Sequence, residues 1–140
     1  MKPGIELKVL YSDEYVTKLN VSAGNGVFSG ESWVYEGGLS EIADHLVGFP
    51  ESPSGTRSIL IGTFDPRCAG GGIQMRFHCI DGAAHAYDEV RIDSKYAVGG
   101  TIQTVTLTVP VDAAAVDSFV VALRRLAAMR AGVARLEAKL

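Results

Sequence analysis

Two cysteines in 140 residues are too few for a disulfide framework, so nothing in the composition reads as a stapled, secreted scaffold. Long apolar runs are also missing. The longest strongly apolar stretch, Phe119 to Leu123, is far short of the roughly 20 residues a membrane-spanning helix needs. No apolar region follows Met1-Lys2-Pro3-Gly4, so no export signal is read and the chain is expected to be cytoplasmic and reduced. A basic excess is absent too. Thirteen Lys and Arg against 16 Asp and Glu leave a net charge of −3, which argues against nucleic acid as a partner. The chain contains no P-loop, nucleophile elbow or zincin motif.

What is present is a change of period at Pro110. Before it lie about seven short runs of alternating apolar and polar residues punctuated by glycine. Ile5, Leu7, Val9 and Tyr11 share one side of the first, and Leu19 and Val21 mark the second. Phe28, Trp33 and Tyr35 mark the third, with Gly30 read as a bulge. Gly24-Asn25-Gly26 turns the chain between the second and third. A short helix is expected next, N-capped by Ser40, with the apolar stripe Leu39, Ile42, Leu46 and Phe49 and a stop at Gly48 and Pro50. The continuous run Ile59, Leu60, Ile61 and Phe64 reads as a strand covered on both faces.

The best-defined pair follows. Ile73, Met75, Phe77 and Cys79 alternate with Gln74, Arg76 and His78, which predicts a buried Cys79. Ala86, Val90 and Ile92 alternate with His85, Tyr87, Glu89 and Arg91. Two registers keep the faces matched. A Gly82-Ala83 loop sets Arg76 opposite Glu89, Met75 opposite Val90 and His78 opposite Tyr87, with the better charge and apolar pairing. An Asp81-Gly82 loop sets His78 opposite His85 and has the more typical turn. Gly99-Gly100 precedes a last strand with Val105, Leu107 and Val109 on one side and threonines on the other.

After Pro110 the period becomes helical from Asp112 to Leu140. The sum is an α+β domain over residues 1–140: a body, 1–110, with one antiparallel sheet of about seven strands, a short helix after the third strand and a long C-terminal helix on one face. Val116, Phe119, Val120 and Leu123 dock that helix. From there Ala122, Leu126, Met129, Val133, Leu136 and Leu140 step by four and three, a seam that predicts a homodimer. Arg124, Arg125, Arg130 and Arg135 read as a solvated face that complements the helix dipole.

Chemistry-bearing residues are sparse. His78 and His85 offer two imidazoles where a zinc site needs at least three protein ligands, so no metal and no cofactor is expected. Cys68 has Arg67 beside it but no positioned base. The carboxylates Asp44, Asp65, Asp88 and Glu89 form no recognisable acid–base pair. What remains is a polar sheet face carrying Arg76, His78, His85, Tyr87, Glu89 and Arg91, the composition either of a solvated sheet or of a protein-binding surface.

Phe28-Ser29-Gly30, Trp33-Val34-Tyr35, the Leu39 to Leu46 segment, and Val109-Pro110-Val111-Asp112 leading to Phe119-Val120-Val121-Ala122-Leu123 resemble a group of small uncharacterised bacterial proteins. These are similar to WapI-type immunity proteins of polymorphic toxin systems. The resemblance covers residues 5–126 and departs from the usual short ending beyond Leu126. It implies a non-enzymatic protein that neutralises a cognate toxin, and its motifs carry no catalytic residue to transfer. A small enzyme or ligand-binding domain using His78, His85 and Tyr87 is the rival reading. A structural homodimer subunit is the third.

Overall fold

The computed structural model describes residues 2–52, 54–81, 85–94 and 102–139. Its strands are β1 (Gly4–Ser12), β2 (Thr17–Gly24), β3 (Ser29–Glu36), β4 (Thr56–Gly62), β5 (Gly72–Cys79), β6 (His85–Ser94), β7 (Gln103–Asp112) and β8 (Val133–Glu137). The helices are α1 (Leu39–Asp44) and α2 (Ala113–Met129). Among the described residues the strands form two antiparallel sheets rather than one. Sheet A has the order β3-β2-β1-β8 and sheet B the order β4-β5-β6-β7. Alternation in a sequence assigns each side chain to a face but does not say which strands share a sheet.

The two inner faces enclose one core. Ile5, Leu7, Leu19, Val21 and Val34 from sheet A meet Ile61, Ile73, Met75, Phe77, Val90 and Val109 from sheet B, all fully buried. Strand β3 lies against sheet B at close range: Ser32 Oγ donates to the Asp93 carbonyl at 3.1 Å, and the Gly71 N–H donates to the Trp33 carbonyl at 3.0 Å. A Cβ on Gly71 would sit 2.0 Å from the Asp93 carbonyl oxygen, so this crossing requires glycine. Gly30 is a close approach of the same kind rather than a bulge. Its register with Ala23 is regular, and an added Cβ would meet Val105 at 2.3 Å. The irregularity in sheet A lies instead between Val9 and Tyr11, where the extra Leu10 breaks the alternation and leaves Tyr11 exposed.

Helix α1 starts two residues earlier than a Ser40 cap implies. Gly38 is its N-cap, without a side-chain hydrogen bond, and Ser40 lies inside the helix. Packing holds it: Leu39, Ile42, Leu46 and Phe49 are buried, as their stripe predicts, and Asp44 pairs with Arg124 of α2 at 2.8 Å. Strand β4 is covered on one face only, since Leu60 points outward between the buried Ile59 and Ile61.

The largest departure from the sequence reading is at the C-terminus. Asp112 caps α2, its Oδ1 accepting from the Ala115 N–H at 2.8 Å. Val116, Phe119, Val120, Leu123 and Leu126 form its buried stripe. The helix ends at Met129, where Arg130 adopts a left-handed φ of 54° and its N–H bonds the Leu126 carbonyl. Gly132, at φ 99°, completes the reversal. Val133–Glu137 then pair antiparallel with β1, Leu136 opposite Ile5 and Ala134 opposite Leu7. A strand wins here because β1 offers unpaired backbone groups and the core a space for Ala134 and Leu136, both fully buried.

The expected helical seam therefore does not form. Ala122 and Leu126 pack inward on α2, Met129 is exposed at the helix end, Val133 and Leu136 point to opposite faces of β8, and Leu140 lies outside the described residues. Arg135 likewise belongs to a strand rather than to a basic helix face. It donates to the Lys2 and Pro3 carbonyls and pairs with Glu6 and Glu137, tying the two chain ends together.

Position 136 separates strand from overhanging helix. Leu136→Ala is expected to cost about 2–5 kcal/mol in chemical denaturation, because it empties a core position. Met129→Ala should change stability by less than about 0.5 kcal/mol. A frayed or solvent-facing tail would make the two substitutions equally mild.

Candidate functional site

The outer face of sheet B is a grid fixed by register. Ser58, Arg76, Glu89 and Thr108 form one cross-strand row. Thr56, His78, Tyr87 and Pro110 form the row above it, and Leu60, Gln74, Arg91 and Thr106 the row below. The β5–β6 pairing is the one that matches Arg76 with Glu89 and Met75 with Val90. The expected turn at Gly82 lies outside the described residues, as do Gly99-Gly100. Arg76, Arg91, Ser58, Thr106 and Thr108 are exposed, so this face is open to solvent.

Five of the six nominated residues gather here, and their side chains are organised. The His78 and Tyr87 rings stack at 4.8 Å with an interplanar angle of 17°. His78 Nε2 lies 2.6 Å from Glu89 Oε1, at ion-pair distance but without hydrogen-bond alignment. The Arg91 guanidinium sits 4.1 Å over the Phe64 ring and donates to both carboxylate oxygens of Asp93 at 3.0 Å. Asp93 also accepts from Thr104 Oγ1 at 2.9 Å and is itself buried. Arg76 forms no salt bridge or side-chain hydrogen bond with any described residue, because the carboxylate opposite it has turned diagonally to His78. Such cross-strand contacts are each worth a few tenths of a kcal/mol and act mainly to hold orientation.

His85 stands apart at the start of β6. It faces Asp112 across the sheet, and its Nδ1 lies 3.1 Å from Asp81 Oδ2. Nor do the cysteines join the site. Cys68 is exposed on the loop before β5, and neither cysteine forms a disulfide. Cys79 is half-buried rather than buried, since β5 ends there and its Sγ donates to the Asp81 carbonyl at 3.0 Å. Among the described residues no three His, Cys, Asp or Glu side chains are grouped to hold a metal ion.

Two clefts of about 220 and 250 Å³ lie elsewhere. The first, between the β1–β2 loop and the start of α1, is lined by Asp13, Glu36, Glu41 and Arg130. Two of its carboxylates, Asp13 and Glu36, are engaged by the chain itself. Asp13 accepts from the Tyr15 and Val16 N–H groups, which hold its carboxyl below the usual range. Glu36 accepts from Gly37, Gly38 and Gly62. The second cleft, between Gly30 and Gln103, is bordered by Ile92 and Val105.

One of the carboxylates named in the sequence has a placement that was not read there. Asp88, between Tyr87 and Glu89, points inward, fully buried opposite Phe77 and Val109. Its parity with Ala86 and Val90 is the signal that places it there. Burial pushes its carboxyl well above the usual range. The Arg76 backbone opposes the shift, the Glu89 charge adds to it, and neither oxygen has an aligned hydrogen bond.

No family model, curated protein or solved structure matches the chain.

The raised carboxyl has a defined sign in stability. The unfolded chain loses the Asp88 proton near pH 4 while the folded protein keeps it, so stability falls from about pH 4 upward until the folded group ionises. The slope this group contributes is at most about 1.4 kcal/mol per pH unit. Asp88→Val is expected to stabilise the protein, more at pH 8 than at pH 5. Urea denaturation at the two pH values measures this, and an equal effect at both would contradict a neutral buried carboxyl.

Proposed function

We propose that the protein is a non-enzymatic docking module whose contact surface is the outer face of sheet B. The observation that carries this reading is an open sheet face on which His78, Tyr87 and Arg91 are already held in place. The His78–Tyr87 stack and the Arg91 clamp leave little rotamer freedom to lose on contact, which lowers the cost of association. Tyr and Arg are also the side chains that dominate binding energy at protein interfaces. The resemblance to WapI-type immunity proteins supplies one class of partner, a cognate toxin.

An enzyme built on His78, His85 and Tyr87 is the less favoured reading. His85 pairs with Asp81 at the edge of the grid, while His78 is committed to Tyr87 and Glu89. The rows lie on a sheet face, and the two clefts described lie elsewhere. Catalysis needs groups converging on a common reacting atom, and this array spreads them over a surface.

A photo-crosslinking amino acid tests the reading in the native host. Placed at Tyr87 it is expected to yield a product enlarged by a second polypeptide. Placed at Lys8, exposed on the outer face of sheet A, it should yield none. Equal products from both positions, or none from Tyr87, would contradict a docking role for sheet B.

A further inference from the structure

We infer that, given the docking role of this face, its occupant is a second copy of the chain, packed sheet to sheet about a two-fold axis running along the strands between β5 and β6. Such an axis carries β5 of one copy over β6 of the other at the same height. Every pair across β5 and β6 then becomes an intermolecular pair. Arg76 opposes Glu89 within the sheet, so Arg76 of each copy lies over Glu89 of its partner, twice per dimer.

The charges are what commit the face to itself. Arg76 lacks a partner among the described residues, and Glu89 keeps about two fifths of its side-chain surface exposed beside His78. A second copy supplies the missing carboxylate to each Arg76. An axis across the strands through this row would instead set Arg76 on Arg76 and Glu89 on Glu89. Around the pair, His78 falls over Tyr87 and Ser58 over Thr108, which offers stacking and hydrogen bonding without like-charge contact.

The dimensions are compatible. Four strands spaced about 4.8 Å and eight residues long present roughly 500 Å² of flat area. Side-chain relief raises the accessible area of such a face toward the roughly 800 Å² per partner of a standard interface. Packed sheets lie about 10 Å apart with strands at about −30°, so the rows nearest the axis stay superposed.

Light scattering of the full chain at micromolar concentration provides the test. The unaltered protein should have twice the 14.8 kDa chain mass. Arg76→Glu and Glu89→Arg should each weaken the dimer by about 30-fold or more, with circular dichroism unchanged, because each brings like charges together twice. The double variant Arg76→Glu/Glu89→Arg should regain the dimer. A dimer that survives either single reversal overturns the inference, as does a folded double variant that stays monomeric. A dimer broken instead by Met129→Glu and Val133→Glu moves the interface to the α2–β8 end and overturns it as well. A monomeric unaltered protein also overturns it, while leaving the face to a heterologous partner that crosslinking from Tyr87 detects independently.

Discussion

Five residues at the end of the chain pair with β1, and the rest of the architecture depends on that pairing. Val133–Glu137 satisfy the backbone groups along the far edge of β1 and deliver Ala134 and Leu136 to the core. Closure extends beyond sheet A. The Lys139 N–H donates to the Pro110 carbonyl of β7 at 2.7 Å, so the segment after β8 also touches sheet B. Helix α2 can then cross from β7 to β8 with its apolar stripe against the core, and α1 packs beside it.

That closure decides where polar residues go. With sheet A, α1 and α2 supplying the apolar partners of sheet B, its other face is mostly polar and amphipathic, with Leu60 the outward-facing exception among its large apolar side chains. Tyr87 and Glu89 take positions outside, and Asp88 between them is forced inside. The buried carboxyl and the organised outer face are two consequences of one register. A slip of a single residue would exchange them and expose Val90 and Ile92. Asp88 is fully buried there with no aligned hydrogen bond to either oxygen, a placement that favours its neutral carboxyl.

Much of this was legible in the sequence, and the rest was not for physical reasons. Period two assigned the faces of β2, β6 and β7, whereas in β3 Ser32 and Val34 rather than Trp33 and Tyr35 are buried. Of the two β5–β6 registers the sequence left open, the structure has the one that matches Arg76 with Glu89 and Met75 with Val90. The division into two sheets was not legible, since the glycine approaches at Gly30 and Gly71 depend on residues more than 20 positions away. The C-terminal segment misled because four-three spacing and period two share positions there. Gly132 followed by the β-branched Val133 was the arbiter. The site residues were identifiable as a face, but the Arg91–Phe64 contact depends on a residue from the loop before β5.

The central claim is that the bare face of sheet B is the surface through which two copies of this protein associate. Residue-resolved NMR spectra recorded during serial dilution test it most directly. The account predicts shifts concentrated at Arg76, His78, Tyr87 and Glu89, with the amides of α2 and β8 unmoved. Shifts centred on Met129 and Val133, or a spectrum that does not change with concentration, would contradict it.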